Sequence, residues 1–327
     1  MPPLPLRAFE DERFWRKLLE EALEGGISLT EVLEAKGGVH LALRKGVRLD
    51  ELASLIEARR VDDAVNALNW AAFNSELAGL QRPMVGLLLN GARLGAVDIL
   101  EPFQALLLDS LSRPPLRASA AQWASSHSAD LISGIDRTTR SGLRDLITRG
   151  VRRGQPPKQI ARALRGRVGL DKFRGARLDK YIQELIADPE NSAARIQYLT
   201  ERRYNELLKE RYRTIAENEA HQALVEGQRQ IWEANAETLS TEYFKELVVI
   251  TDGKCSSNTC PPMDGQVVPV GQRHYVHPAQ GPLLGPGFHV LCRCTEKLRS
   301  KSEGGLSGVQ FPTPETGPLE QVAALPS

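Results

Sequence analysis

The chain has 327 residues, with 41% hydrophobic residues and 42 Lys and Arg against 41 Asp and Glu, for a formal net charge of +1. That length accommodates at least one sizeable core and about two domains, and the composition is that of a soluble globular protein. The most apolar run, MVGLLLNGARLGAVDIL from Met84, is interrupted by Asn90, Arg93 and Asp98, which excludes it as a bilayer span.

The charge is segregated along the chain. Between Arg137 and Arg213, 20 Lys and Arg face 9 Asp and Glu, so the remainder carries 22 against 32. A basic middle attracts phosphate backbones or an acidic partner, although many of these charges also stand at the spacing of helix ion pairs. The opening MPPLPLRAFEDERFWRK places acids and prolines where a secretory signal needs a basic region and an apolar core. The expected setting is therefore a reducing cytoplasm, with no membrane partner. There, clustered cysteines serve as metal ligands more often than as disulfides.

From Phe9 to about Asp109 the pattern predicts helices, with Phe14, Leu18, Leu19 and Leu23 at three- and four-residue spacing and glycine pairs at Gly25-Gly26 and Gly37-Gly38 as punctuation. Thr30 and Asp50 stand where N-caps are expected. The prolines of RPPLRAS forbid one continuous helix through Arg113–Ser119, and a domain boundary is placed there, giving a helical N-terminal domain over 1–118.

A basic helical domain over 119–242 follows. Trp123, Leu131, Ile135, Leu143, Leu146 and Ile147 share one helix face, with His127 nearby; Gly154 ends that helix, and QPPKQIARALRG starts a shorter one with proline in its first turn. A further long helix is predicted from about Ser192 to Glu242, with Tyr204, Leu207, Leu208, Tyr212, Ile215 and Ala216 as its apolar stripe. Arg149, Arg152, Arg153, Lys158, Arg162, Arg165 and Arg167 are the candidate contact surface for double-stranded DNA, bound without sequence preference, or for an acidic partner.

Helical periodicity stops near Tyr243. EYFKELVVITDGK and MDGQVVPV read as short strands beside Asp-Gly turns at Asp252-Gly253 and Asp264-Gly265. A β-rich Cys/His module is placed over 243–298, and the Gly-, Pro- and Ser-rich segment 299–327 reads as a flexible tail. The fold class expected is mainly α with this small C-terminal β-rich module, an α+β protein.

All 4 cysteines of the chain lie in that module. Cys255 and Cys260 sit on an early turn; His289, Cys292 and Cys294 follow about thirty residues later. If Cys292 and Cys294 lie on a strand, both sulfurs face one side and Arg293 the other. Four ligands drawn from these five residues make a tetrahedral shell, for which thiolates favour zinc. Three readings stay open here: structural zinc, disulfides or free buried thiols, and catalytic zinc. The first is preferred, because a segment with so little regular structure gains its folding free energy from a metal, and because a catalytic site needs an open position and a general base that four thiolates do not leave. Asp252 and Asp264 are explained by their turns, and His274 and His277 are expected at the surface.

ITDGKCSSNTCPPMDGQVVPV followed by HVLCRC resembles the C-terminal signature of the phage Mu gpF-like minor head proteins, also called the SPP1 gp7-like head morphogenesis family. The helix RYRTIAENEAHQALVEGQRQIW is similar to that family's Ile-Ala-Arg-Thr-Glu helix ending in a Gly and a Trp, here with Glu217-Asn218 in place of Arg-Thr and Glu219 retained. GLRDLITRGVRRGQPPKQIARALRGRVGL matches the helix, glycine and short helix ahead of it. The resemblance covers roughly Gln122 to Leu298. It implies a structural virion component and not an enzyme: a minor capsid protein near the portal vertex, in host cytoplasm during assembly, with portal protein and capsid components as partners, assisting head assembly and DNA packaging or delivery. The alternative is a zinc-dependent enzyme acting on nucleic acid.

Overall fold

The computed structural model describes residues 29–34, 39–97, 99, 103–249, 259–289 and 292–302, with the side chains of Val97 and Arg165 excepted. The helix expected before residue 29, both glycine pairs, the Asp252-Gly253 turn, Cys255 and the tail beyond residue 302 lie outside these residues.

The chain is mostly helical, with a small antiparallel sheet region at its C-terminal end, so the α+β class holds. Helix α1 (29–34) and a 3-10 turn at Val39–Arg44 lead into α2 (Leu49–Glu57), α3 (Val61–Asn66), α4 (Trp70–Leu77), α5 (Gln81–Val97) and α6 (Phe103–Ser112). Thr30 falls inside α1, and Asp50 is in the first turn of α2, whose N-cap position is Arg48. Neither serves as the cap expected of it.

Pro114 and Pro115 open α7 (Pro114–Arg152), where a first-turn proline forfeits no hydrogen bond. Gly154 follows α7 with φ +67°, the left-handed conformation that suits glycine after a helix end. Next come α8 (Pro157–Gly166), α9 (Lys172–Ala187), whose N-cap Asp171 accepts from the Arg174 N–H, and the 42-residue α10 (Ala193–Ala234), capped likewise by Ser192. At 1.5 Å per residue α10 is about 63 Å long, and the short α11 (Ala236–Leu239) follows it.

Arg113 does separate two helices, but it does not separate two cores. Leu33, Phe73 and Met84 share one buried cluster with Leu143, Ile147, Leu207 and Leu224. The cross-point is between α5 and α10. A Cβ added at Gly227 would overlap the Leu88 carbonyl oxygen, and one at Gly91 would overlap the Leu224 carbonyl oxygen. Two facing glycines thus let these backbones touch. The Trp232 indole N–H closes the contact by donating to the Gly95 carbonyl at 2.9 Å.

The C-terminal module begins at β1 (Tyr243–Val248), the centre of an antiparallel sheet flanked by β2 (Val267–Val268) and β5 (Thr295–Ser300). The pairs Leu247 with Glu296 and Lys245 with Leu298 fix the register. The Asp264-Gly265 turn is formed as expected: Gly265 has φ +72°, and the Asp264 carboxylate accepts the Val249 N–H at 2.8 Å. Strands β3 (His274–His277) and β4 (Gly281–Leu284) form a separate hairpin. Strand β5 runs on to Ser300 and pairs with Tyr243, which carries the ordered module two residues past the expected boundary at 298. Among the described residues, no helix is long and apolar enough to cross a membrane.

Candidate metal centre and basic surface

Cys260 enters the 3-10 turn Pro261–Met263, while His289 and Cys292 arrive on the irregular segment that precedes β5. The Cys260 Sγ lies 3.0 Å from the His289 Nε2 and 3.8 Å from the Cys292 Sγ. Two sulfurs bound at about 2.3 Å to a tetrahedral ion are about 3.8 Å apart, so the sulfur pair already has the spacing of a metal site; the imidazole needs to open by about 0.5 Å. These three ligand atoms lie within 4.8 Å of one another.

Cys294 is buried in the same apolar cluster as Cys260 and Cys292. Cys260, Cys292 and Cys294 are free thiols. Hydrogen bonds from Cys260 and Cys294 hold the Cys292 thiol far below its ordinary range, while the same contacts push Cys260 far up. Cys292 and Cys294 stand ahead of β5, not within a strand as expected, yet both are buried and Arg293 between them is part-exposed. Of the five candidates, the structure brings Cys260, His289 and Cys292 together with Cys294 adjoining; Cys255 is outside the described residues.

His277 departs from expectation. It is buried, because its Nδ1 accepts the N–H groups of Ala279 at 3.0 Å and Gln280 at 3.1 Å in the β3–β4 turn. His274 is part-exposed.

A second polar centre, absent from the sequence reading, lies between the module and α10. Glu296 is wholly buried and meets Arg229 at 3.0 Å and Lys245 at 3.3 Å, and it accepts the Tyr275 hydroxyl at 2.8 Å. Burial alone would raise the Glu296 carboxyl, but Arg229, Lys245 and the hydrogen bonds pull it below its usual range. Burial lowers Lys245 against the opposing attraction of Glu296. Nearby, Arg273 joins Glu226 at 3.3 Å and Glu233 at 2.5 Å.

The seven basic candidates divide. Arg149 pairs with Asp145 and Asp179, and Arg167 pairs with Asp179, so both are held by intramolecular acids between α7 and α9 and do not belong to an open contact surface. Arg152, Arg153, Lys158 and Arg162 are exposed. On α8, Lys158 and Arg162 stand opposite the buried Ile160, Ala161 and Leu164, the arrangement of an amphipathic helix with an outward basic side, and Arg152 and Arg153 lie at the C-terminal end of α7. The side chain of Arg165 lies outside the described set.

Comparison of the chain with protein-family models, with curated proteins and with solved structures finds no match.

Proposed function

We propose that this chain is a minor capsid protein of a tailed phage or a prophage-derived particle, associated with the portal and assisting head assembly and DNA packaging or delivery. The observation that carries the reading is the ordered signature from the Gly227 and Trp232 helix, through Cys260 and Asp264-Gly265, to His289, Cys292 and Cys294. Its parts have separate physical roles that the fold explains: Gly227 permits the helix crossing, Asp264 ties the turn to β1, and the Cys and His residues gather at one point.

In this reading the centre is a structural zinc clip. Cys260 and Cys292 are 0% and 3% exposed, which suits a shell closed to substrate better than a hydrolytic site with an open position. The exposed Arg152, Arg153, Lys158 and Arg162 supply the electrostatic contact to packaged DNA or to an acidic portal surface.

The test is to tag the chain in its producing host, purify particles, and quantify it against portal and major capsid protein by mass spectrometry. A few copies per particle, enriched with portal-bearing shells, are expected. Absence from purified particles sinks the proposal.

A further inference from the structure

Helices α9 and α10 leave the body together as a two-helix arm. From Asp179 to Arg203 no side chain is buried, whereas Leu178 and Tyr204, on either side of that span, are core residues. Two helices alone cover only part of each other's apolar stripe. A groove of about 640 Å³ runs along the open side, lined by Tyr181 and Leu199 together with Arg177, Lys180, Arg202 and Arg203. Arg177, Lys180, Tyr181 and Glu184 on α9, and Leu199, Arg202, Arg203 and Glu206 on α10, show the same offsets of three, four and seven residues. Each helix thus turns one continuous face to the groove, and Phe173, 68% exposed, lies one turn further back on the α9 face. Two parallel ridges of this kind are a seat for a third helix.

The groove is positive. Arg177 has Glu210 at 2.7 Å and Lys180 has Glu184 at 3.9 Å, but Arg202 and Arg203 share one carboxylate, Glu206, at 3.1 and 3.0 Å. A guanidinium charge is left over, and the carboxylates between the cations make the groove a poor track for a phosphate backbone.

The chain carries a segment of matching chemistry outside the described residues. Residues 9–24, FEDERFWRKLLEEALE, place Phe14, Trp15, Leu18, Leu19 and Ala22 on one side at helix spacing. They hold 6 Asp and Glu against 3 Lys and Arg. Reach favours them as well. The chain enters the body at Leu29, in the same buried cluster as Leu207 and Leu208, and the following 3-10 turn ties itself to the base of the arm, where Arg44 donates to the Tyr204 hydroxyl at 3.2 Å. Residues 25–28, with the Gly25-Gly26 pair, span up to about 14 Å. The acidic segment 303–327 starts from the other end: Lys301 is bonded to Glu242, beyond the end of α10, and the stretch of α10 from Glu206 to Ala234 is about 42 Å long.

We propose that residues 9–24 form a third helix seated in the α9–α10 groove, turned back from Leu29 at Gly25-Gly26, with its apolar side on Tyr181 and Leu199 and its acids toward Arg202 and Arg203. The proposal is independent of the metal clip and of the virion role.

The full-length chain with p-benzoylphenylalanine in place of Tyr181, mixed as ¹⁴N and ¹⁵N forms and irradiated, tests the contact directly. Mass spectrometry is expected to find links to residues 9–24 of the same copy. Links to residues 303–327 instead, links between copies, or no link to either segment overturn the proposal. A second measurement keeps Tyr181 and compares amide exchange in the wild-type chain and in Leu18→Asp with Leu19→Asp. Loss of the third helix is expected to speed exchange across residues 180–203 at least about 10-fold, the equivalent of exposing one leucine side chain, with the core stretch 216–224 unchanged. Equal exchange of residues 180–203 in the two chains overturns the proposal.

Discussion

The helical body and the C-terminal module are held together by different physics. In the body, α5 and α10 meet backbone to backbone through Gly91 and Gly227, and one apolar cluster draws side chains from α1 to α5 and from α7 to α10. In the module the apolar cluster is small, with Leu247, Met263, Val268 and Tyr275 among its members and three cysteines counted in it. What the module lacks in core it makes up in polar centres: the Cys/His cluster at one point and Glu296 with Arg229 and Lys245 at another. Close packing tolerates changes of pH and chelator but not of volume. Polar centres have the reverse sensitivity.

The largest expected effect is on the module alone. If the Cys/His cluster holds the proposed zinc, which in small modules supplies about 10–16 kcal/mol of folding free energy, chelation, or Cys260→Ser, is expected to release the module while leaving most of the helical signal. Far-ultraviolet circular dichroism with limited proteolysis checks this: cleavage between residues 243 and 302 should precede any loss of helix. Simultaneous loss of both would mean the body depends on the module, and the division between the two regions would fall.

The converse change strikes the body. Gly227→Val puts side-chain atoms into the Leu88 carbonyl, a rigid backbone neighbour, and overpacking of even compliant sites costs about 1–3 kcal/mol. A loss at or above about 3 kcal/mol is expected, measured by urea denaturation, with the Co²⁺ affinity of the remaining folded fraction little changed.

Much of the body was legible in the sequence because a helix with one buried side prints its period. Trp123 to Ile147 and Tyr204 to Ala216 took the core positions their spacing required. The second half of α10 was not legible that way. From Ala223 to Trp232 every residue is buried, so no polar face marks the period, and Glu226, Gln228 and Arg229 look like solvent residues when read alone. Gly227 was the available signal, since a glycine inside a long helix asks for a close neighbour.

The candidate site was partly legible for a similar reason. Cysteine chemistry is local enough to be read from residue type, and Cys260, His289 and Cys292 met as expected. Lys245 sits on the inward side of β1 with Tyr243 and Leu247, so a period of two placed it indoors, but its partner Glu296 is 51 residues away. Arg149 and Arg167 are neutralised by Asp179 on a different helix. Pairings of that range are set by the fold and leave no spacing to read.

Removing one partner from the buried ion cluster gives the next effect down. Glu296→Gln leaves Arg229 and Lys245 without a full counter-charge, a loss of about 3 kcal/mol for a broken buried pair. Lys245 can shed its proton to soften that loss, since burial already lowers it. The double variant Lys245→Met with Glu296→Leu is expected to be more stable than the single one, as measured by thermal denaturation; a double variant worse than the single would show that the cluster contributes more than mutual neutralisation.

A pH effect then separates the body from the module's charges. His40 is buried against Tyr212, its Nδ1 2.8 Å from the hydroxyl, and burial followed by the nearby Arg44 lowers its pKa to about 3. The unfolded chain takes up the proton near pH 6.5 and the folded chain does not, so this contribution is complete above about pH 6.5 and is lost as pH falls toward 3. By pH 5 the expected loss is about 2 kcal/mol. A His40→Gln variant should flatten that acid limb of the urea-midpoint profile; an unchanged limb assigns it to other groups.

The smallest effect on stability belongs to the surface proposed for contact. Arg152, Arg153, Lys158 and Arg162 are exposed, and substitutions at such positions usually change stability by less than about 0.5 kcal/mol. Their replacement by Ala is therefore expected to leave the urea midpoint in place. Binding should respond differently. Each phosphate contact releases about 0.9 counterion, so if these four side chains touch double-stranded DNA, the slope of log affinity against log salt should fall by about 3 to 4 in the quadruple variant. The same substitutions at Arg149 and Arg167 should reduce stability instead, because they leave Asp179 unpaired between α7 and α9. An unchanged salt slope in the quadruple variant, with DNA affinity intact, would move the contact elsewhere on the body and leave these four residues as a solvated helix face.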